Sequence, residues 1–220
     1  MNYAALSAAI QAYTENTEAD FIAEIPVFVQ QAEQRIYNSM QFPSIRKNVT
    51  GSTSSGNKYL GCPNDFLAVY SIAVIDATGS YEYLLNKDVN FIRQAYPQPT
   101  DTAIPRYYAL FGAQSNDVNE LTFILGPTPD ATYGVELHYY YYPESITVAA
   151  SGQTWLGDNF DSVLLYGSLV EAYTYMKGET DMMALYNQKF MEALALAKRL
   201  ADGMERQDAY RSGQFRQKVT

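Results

Sequence analysis

The chain has 220 residues, 47% hydrophobic and 18% charged, which is typical of a globular protein with one large domain or two small ones. Its formal net charge of -9 argues against general nucleic-acid binding, because affinity for phosphates depends on clusters of Lys and Arg. The single cysteine, Cys62, excludes an intrachain disulfide, and no uncharged apolar run approaches the roughly 18 residues of a membrane span, so we expect a soluble protein.

Two amphipathic helices are predicted at the start of the chain. Apolar residues recur at helical spacing over 3–13, and residues 16–18 have turn and capping character. A second helix is predicted over 19–40. Because Pro26 lies inside this pattern, we expect the second helix to kink or restart there.

The following segment has β character. Clusters of Gly, Pro, Asn and Asp separate short runs rich in β-branched and aromatic residues. Seven short strands favour a sandwich or a small barrel, and they are predicted at 45–51, 58–60, 66–75, 82–85, 106–111, 120–125 and 135–142.

Helical spacing returns after Trp155. Asp158 is the predicted N-cap of a helix that Gly178 closes, and a last long helix is predicted over 180–202. The closing residues are basic and are predicted to form a mobile tail. A solvated terminus and a peptide that becomes ordered on a partner both remain open.

The order of these elements predicts an α+β fold. N- and C-terminal helix pairs form a four-helix bundle, and an antiparallel β-sandwich or barrel is inserted between them. The predicted limits are 1–41 for the first helices, 42–150 for the β domain, 151–204 for the last helices and 205–220 for the basic tail.

Three patterns resemble catalytic or ligand sites, but each has a simpler structural explanation. Residues 51–58 lack the Lys directly after the second Gly that a phosphate loop needs, since Asn57 intervenes, and they predict a flexible hairpin loop. His138 is the only histidine and lies in a strand. Asp158 and Asp161 have a spacing that would suit a glycosidase pair, but helix capping explains this spacing better. We therefore expect no enzyme, cofactor or metal.

Four consecutive tyrosines stand out in the last predicted strand. Alternation of side chains would place Tyr139 and Tyr141 on one face and Tyr140 and Tyr142 on the other. Such rings suit a carbohydrate or partner surface, or packing of both faces inside the protein.

The order and spacing of several segments carry a resemblance that covers nearly the whole chain. They are IPVFVQQAEQRIYNSM, PNDFLAVYSI, IPRYYALFG, LTFILGPTPDATYGVELHYYYYPESI and TWLGDNFDSVLLYGSLVEAYTYM. In this order the chain resembles the head-to-tail adaptor (connector) family of tailed phages and is similar to the tail tubular protein A of short-tailed phages.

The resemblance implies a non-catalytic virion protein at the head-tail junction, made in the host cytoplasm. It implies a ring of copies of the chain, commonly twelve, that contacts the portal protein and a tail nozzle or tail tube protein. DNA passes through the channel without specific binding during ejection. By position, the resemblance assigns portal docking to Arg206, Tyr210, Arg211, Phe215, Arg216 and Lys218, and subunit or tail contacts to Tyr139, Tyr140, Tyr141 and Tyr142.

Two alternatives come from other functional classes. The β domain is a tail-associated glycan-binding module if its exposed tyrosines stack on sugars. A hydrolase with a carboxylate pair is the weakest alternative, because the sequence reveals no cleft for it.

Overall fold

The chain forms two compact units in a computed structural model that describes residues 1–40, 42–112 and 121–211, with the side chains of 43, 202 and 204–211 left out. The helical unit comprises Met1–Ile45 and the chain from Pro143 onward, and the β unit comprises Arg46–Tyr142. Within the described residues there are six helices and two mainly antiparallel sheets. The predicted α+β class is therefore confirmed.

The helical unit contains five of these helices. They are α1 (Tyr3–Thr14), α2 (Ala19–Ser39), α4 (Trp155–Asn159), α5 (Asp161–Tyr175) and α6 (Thr180–Arg211). α2 continues through Pro26, so the predicted restart does not occur. Apolar side chains on both sides of this proline, among them Phe21, Ile25 and Phe28, are buried and hold both halves of the helix in place. Among the described residues, none of the helices combines the length and the apolar character needed to cross a bilayer.

α5 is the central helix of this unit, and it contacts α1, α2, α4 and α6. It approaches two of them closely at Gly167, where an added Cβ would lie 3.1 Å from Ala32 of α2 and 3.1 Å from the Phe190 ring of α6. A glycine at this position therefore lets three helices pack closely.

The ends of the C-terminal helices differ from the prediction. Thr154, and not Asp158, is the N-cap, because its hydroxyl accepts a hydrogen bond from the Gly157 N–H at 3.2 Å and starts the short helix α4. Asp158 lies inside α4, and α5 begins only at Asp161. α6 continues past the predicted end at 202 through Arg211.

In its described residues the β unit has eight strands and one helix, α3 (Val89–Ala95). The strands are β1 (Arg46–Ser52), β2 (Tyr59–Gly61), β3 (Phe66–Ile75), β4 (Tyr81–Tyr83), β5 (Leu85–Asn86), β6 (Tyr107–Phe111), β7 (Thr122–Gly126) and β8 (Gly134–Tyr141). The first sheet has the order β1-β8-β3-β4 and the second has the order β2-β7-β6-β5, in which β5 and β6 are parallel. Within the described residues the sheets keep free edges and form no closed barrel.

Both sheets contribute to one apolar cluster, which we call the β core. Its buried members include Ile72, Val74, Leu137 and Tyr139 from the first sheet and Phe123 and Leu125 from the second. These residues alternate along their strands, as the side-chain period of two requires. α3 lies outside this core and packs through Ile92 on Ala109 and Ile124 of the second sheet.

The loop after β1 is not the predicted hairpin, because β1 pairs with β8 and β2 pairs with β7. The loop therefore crosses from one sheet to the other. Hydrogen bonds hold it against the chain before β8: the Thr53 N–H donates to the Tyr133 carbonyl at 2.9 Å, and the Gly56 N–H donates to the Pro129 carbonyl at 2.8 Å. The hairpin prediction was wrong because the pairing partner of β1 lies far away in the sequence.

Candidate interaction surfaces

Tyr139 is part of the β core and is only 1% exposed. Its hydroxyl donates a hydrogen bond to Asp65 at 2.7 Å, and the other carboxylate oxygen of Asp65 accepts one from Lys47 at 2.7 Å. The polar end of the buried ring is thereby satisfied. Within this unit Tyr139 serves packing and offers little area for contact with a partner.

The three groups of this network shift one another's proton affinities. The hydrogen bond to Asp65 raises the pKa of Lys47. Burial alone would raise the pKa of Asp65, but the hydrogen bonds from Lys47 and Tyr139 outweigh burial and leave the pKa of this carboxyl lowered. Burial, followed by the bond to Asp65, raises the pKa of Tyr139. At neutral pH the network is an ion pair with a neutral phenol.

Tyr140 lies on the opposite face of β8, which faces away from the β core. Its ring meets that of Tyr70 at a centroid distance of 6.0 Å in an edge-on arrangement. The guanidinium of Arg46 lies 4.6 Å from the Tyr70 ring centroid and 5.5 Å from that of Tyr140. A cation held between two rings fixes this part of the surface.

The remaining two tyrosines of the run are partly exposed. Tyr141 lies on the same side as Tyr139, at a ring distance of 6.5 Å, and it packs at the margin of the β core. Tyr142 follows the end of β8 and is 40% exposed. The structure therefore divides the four tyrosines among core, margin and surface.

Sequence reasoning missed three more tyrosines on the same outer face of the first sheet. Tyr70 is 56% exposed and Tyr83 is 67% exposed, and the rings of Tyr81 and Tyr83 stack at 6.3 Å. Tyr83 pairs with Ala73, whose neighbours in β3 face the core, so the stack faces outward. We call Tyr70, Tyr81, Tyr83 and Tyr140 the tyrosine face.

The polar residues that were weighed for chemistry do not assemble into a reactive site. His138 lies on β8 with its Nδ1 3.2 Å from the Ser71 hydroxyl and its Nε2 3.9 Å from Glu136. Asp158 lies 3.8 Å from the Met1 amino group, and Asp161 is in the first turn of α5. In the described part of the chain, no group of three or more His, Cys, Asp or Glu side chains is placed to hold a metal ion.

The structure does not describe the side chains of the residues predicted to dock on the portal. Phe215, Arg216 and Lys218 lie outside the described residues, and so do the side chains of Arg206, Tyr210 and Arg211, although α6 extends through the last of these.

Three leucines lie on one side of α6, beside the face that packs on α5, and the exposed charged pair of Lys189 and Glu192 lies between the first of them and the other two. The packing face carries the buried residues Tyr186, Phe190, Leu194 and Ala197. The neighbouring stripe consists of Leu185, Leu196 and Leu200, of which the last two are 65% and 53% exposed. We call these three residues the leucine stripe, and exposed apolar groups of this kind are typical of contact surfaces.

A cavity of about 350 Å³ lies on the outer face of the second sheet. One wall is the segment from Gly56 to Tyr59, which ends in β2, and the other is the end of α3 with the turn that follows it. Its polar lining residues are Asn57, Lys58, Tyr59, Arg93, Tyr96, Gln98 and Thr128.

Comparison with models of known protein families matches residues 1–217 to the family described as SU10 adaptor protein. No curated protein matches the chain. The match spans nearly the whole sequence, including both units.

Proposed function

The chain belongs to the SU10 adaptor protein family, and we propose that it is a ring-forming subunit that docks under a phage portal and connects it to the tail. The single observation that carries this proposal is the family match over residues 1–217. The adaptor resemblance drawn from the sequence is thereby confirmed, while the similarity to tail tubular protein A stays a prediction.

The ring is formed by copies of this chain, with twelve as the expected number, and it encloses part of the channel for DNA. A closed ring needs two different patches on each subunit that meet head to tail. The tyrosine face on the β unit and the leucine stripe on the helical unit are two such patches. Aromatic residues and exposed leucines of this kind support lateral or tail contacts, since interface cores are enriched in apolar and aromatic groups.

Portal docking is proposed for the chain beyond the leucine stripe. Arg206, Arg211, Arg216 and Lys218 give this part of an acidic protein a local positive charge, which suits an acidic docking groove. In finer detail, we propose that α1, α2, α5 and α6 act as a four-helix bundle and that the two sheets act as a sandwich. The close contact of α5 with the other three helices and the shared β core support this architecture.

The proposed role is structural, in the virion at the head-tail junction, with a portal protein and a tail nozzle or tube protein as partners. No catalytic step is assigned. The net charge of -9 supports passage of DNA without specific binding to the subunit, because an acidic wall repels phosphates.

Electron microscopy of the chain mixed with its portal tests the proposal. We expect rings attached to the portal for the full chain, and loss of attachment when residues 212–220 are removed. This truncation leaves all described elements intact, so the variant keeps its helical circular dichroism and its thermal stability. Lys198→Gln, which removes an exposed cation on the side of α6 away from the leucine stripe, is the matched control and keeps attachment.

Two results would count against the proposal in different ways. Absence of any ring or portal complex for the full chain contradicts the adaptor function itself. Normal attachment of the truncated chain contradicts only the docking role of Phe215, Arg216 and Lys218.

A further inference from the structure

We propose that the cavity between α3 and the segment from Gly56 to Tyr59 binds a nucleotide group, in which a phosphate is joined to a planar base. Lys58 and Arg93 are the phosphate ligands, and Tyr59 and Tyr96 supply the ring surfaces. This site is additional to the adaptor function.

The geometry of the cavity follows from the packing of α3. This helix covers only part of the second sheet, through Ile92 on Ala109 and Ile124. Beside α3, Ile124 of β7 lines the cavity. Its pairing partner in the adjacent strand β2, Tyr59, lines the cavity as well. A volume of about 350 Å³ falls in the range of small-ligand pockets, roughly 300–1,000 Å³.

The charge of the lining is positive, although the chain as a whole is acidic. Lys58 and Arg93 are its charged members, and no Asp or Glu is among the described residues that line it. Neither cation forms an ion pair with a described residue. The neighbouring carboxylate of Asp101 accepts a hydrogen bond from the Gln98 N–H at 3.2 Å. Two cations without carboxylate partners favour an anionic ligand.

A cation and an aromatic ring are in contact in this cavity, so the phosphate and the base of one nucleotide can be bound next to each other. The Nζ of Lys58 lies over the Tyr59 ring, 5.4 Å from its centroid. The Tyr96 ring lines the opposite wall and is braced by Tyr107 at 6.4 Å. Bases stack on such rings without sequence preference. An acidic peptide would use the two cations and leave the rings without a specific role.

The phosphate is held by side chains and not by a backbone cradle. In a phosphate loop, free backbone N–H groups surround the anion. Here the N–H groups of Gly56 and Asn57 already donate to the carbonyls of Pro129 and Ser54. The segment 51–58 therefore lacks the motif of a phosphate loop, and the N–H groups of Gly56 and Asn57 are already engaged, so its contribution to the site is the Lys58 side chain.

Isothermal titration calorimetry at low salt tests the site with three probes: thymidine monophosphate, an oligothymidylate of eight nucleotides and an octaglutamate peptide. Low salt is needed because exposed charges are screened at higher ionic strength. The variant Lys58→Gln/Arg93→Gln is expected to bind the nucleotide probes at least about tenfold more weakly, since each charge-assisted contact is lost. Lys87→Gln is the matched control, because Lys87 lies over the Phe91 ring at 5.3 Å in the same unit but outside the cavity.

The two nucleotide probes distinguish the source of the ligand. If the monophosphate binds and this binding is lost in the double variant, the site is one for free nucleotides. If only the oligonucleotide binds and its binding is lost in the double variant, the site is one for single-stranded DNA. Equal affinity of the original chain and the double variant, or no binding of either probe, overturns the proposal. Octaglutamate binding as tight as that of the oligonucleotide also overturns it, because the rings would then contribute nothing. Unchanged melting temperatures show that the variants are folded.

Discussion

At the scale of single residues, buried polar groups are the positions where the fold is most sensitive. Glu33 of α2 is only 3% exposed, and its carboxylate accepts a hydrogen bond from the Ile146 N–H at 3.0 Å. Burial raises the pKa of Glu33, and the hydrogen bonds from Ile146 and the Ser145 side chain offset this rise only in part. The Glu33 carboxyl thus links two segments of the helical unit that are distant in the sequence. Because it is buried, its ionised form is less favourable in the folded protein than in water.

The raised pKa of Glu33 predicts a specific dependence of stability on pH. The folded protein holds this proton more tightly than the unfolded chain, whose ordinary pKa is 4.5. The protonated Glu33 carboxyl therefore contributes its full stabilisation of the fold below that pH. This contribution is lost as pH rises through the folded-state pKa of Glu33. Glu33→Gln keeps an acceptor for the Ile146 N–H but cannot ionise. Denaturant unfolding from about pH 4 to 8 should show the stability of the original chain falling relative to that of the variant.

Two further variants separate the hydrogen bond from the charge. Glu33→Ala leaves the Ile146 N–H buried without an acceptor and should be about 1–3 kcal/mol less stable than Glu33→Gln at any pH in this range. Glu192→Gln, at an exposed carboxylate of α6, should change the free energy of unfolding by less than about 0.5 kcal/mol. A constant difference between the original chain and Glu33→Gln across the pH range would contradict the assignment.

At the scale of elements, the helical unit depends on close packing around α5. Gly167 is the point where this helix passes between Ala32 and Phe190. Phe190 is itself fixed by the Arg35 guanidinium, 4.9 Å from its ring centroid, and Arg35 forms an ion pair with Glu171 of α5 at 2.8 Å. These contacts leave little freedom for α2 and α6 to move away from α5.

Gly167→Val tests this packing. The added side chain must displace Ala32 or Phe190, and overpacking of this kind costs about 1–3 kcal/mol. Gly203→Val is the matched control, because a Cβ at Gly203 of α6 meets nothing within 4 Å, and its effect should stay within about 0.5 kcal/mol. Chemical denaturation of both variants measures the difference. Equal stability of the two variants would show that the helices separate easily at Gly167.

At the scale of the whole molecule, apolar and aromatic side chains are exposed on both units. The leucines of the leucine stripe are 44–65% exposed, and the tyrosine face lies outside the β core. A monomer gains no stability from such surfaces. Their presence on a member of an adaptor family fits contacts with further subunits.

Leu196→Gln/Leu200→Gln tests whether the leucine stripe contacts a neighbouring subunit. Both side chains are exposed, so the stability of the subunit should change by less than about 1 kcal/mol. The rings that electron microscopy detects in mixtures with the portal should become rare. Met191→Gln is the control, because Met191 is also exposed but lies roughly 140° around the helix from Leu196. Rings as frequent as those of the original chain would exclude the stripe from the subunit contact.

The amino-acid sequence by itself determined the class and order of the elements. Helical spacing located α1, α2, α5 and α6, a run of β-branched and aromatic residues located β3, and alternation gave the division of Tyr139 and Tyr140 between two faces. These features depend on the periods of 3.6 and 2, which are local properties of the backbone. The order and spacing of these segments also carried the adaptor resemblance, which the family match confirms.

Only the tertiary structure decided which segments meet. The residues next to β1 in the sequence carry no information about its pairing with β8. The sequence therefore predicted a hairpin loop after β1. Thr154 became the N-cap in place of Asp158, Glu33 found its partner at Ile146, and α3 closed one side of a cavity opposite Lys58. The common physical reason is that hydrogen bonds, burial and charge act between groups close in space, and the spatial neighbours of these residues lie in segments brought together only by folding.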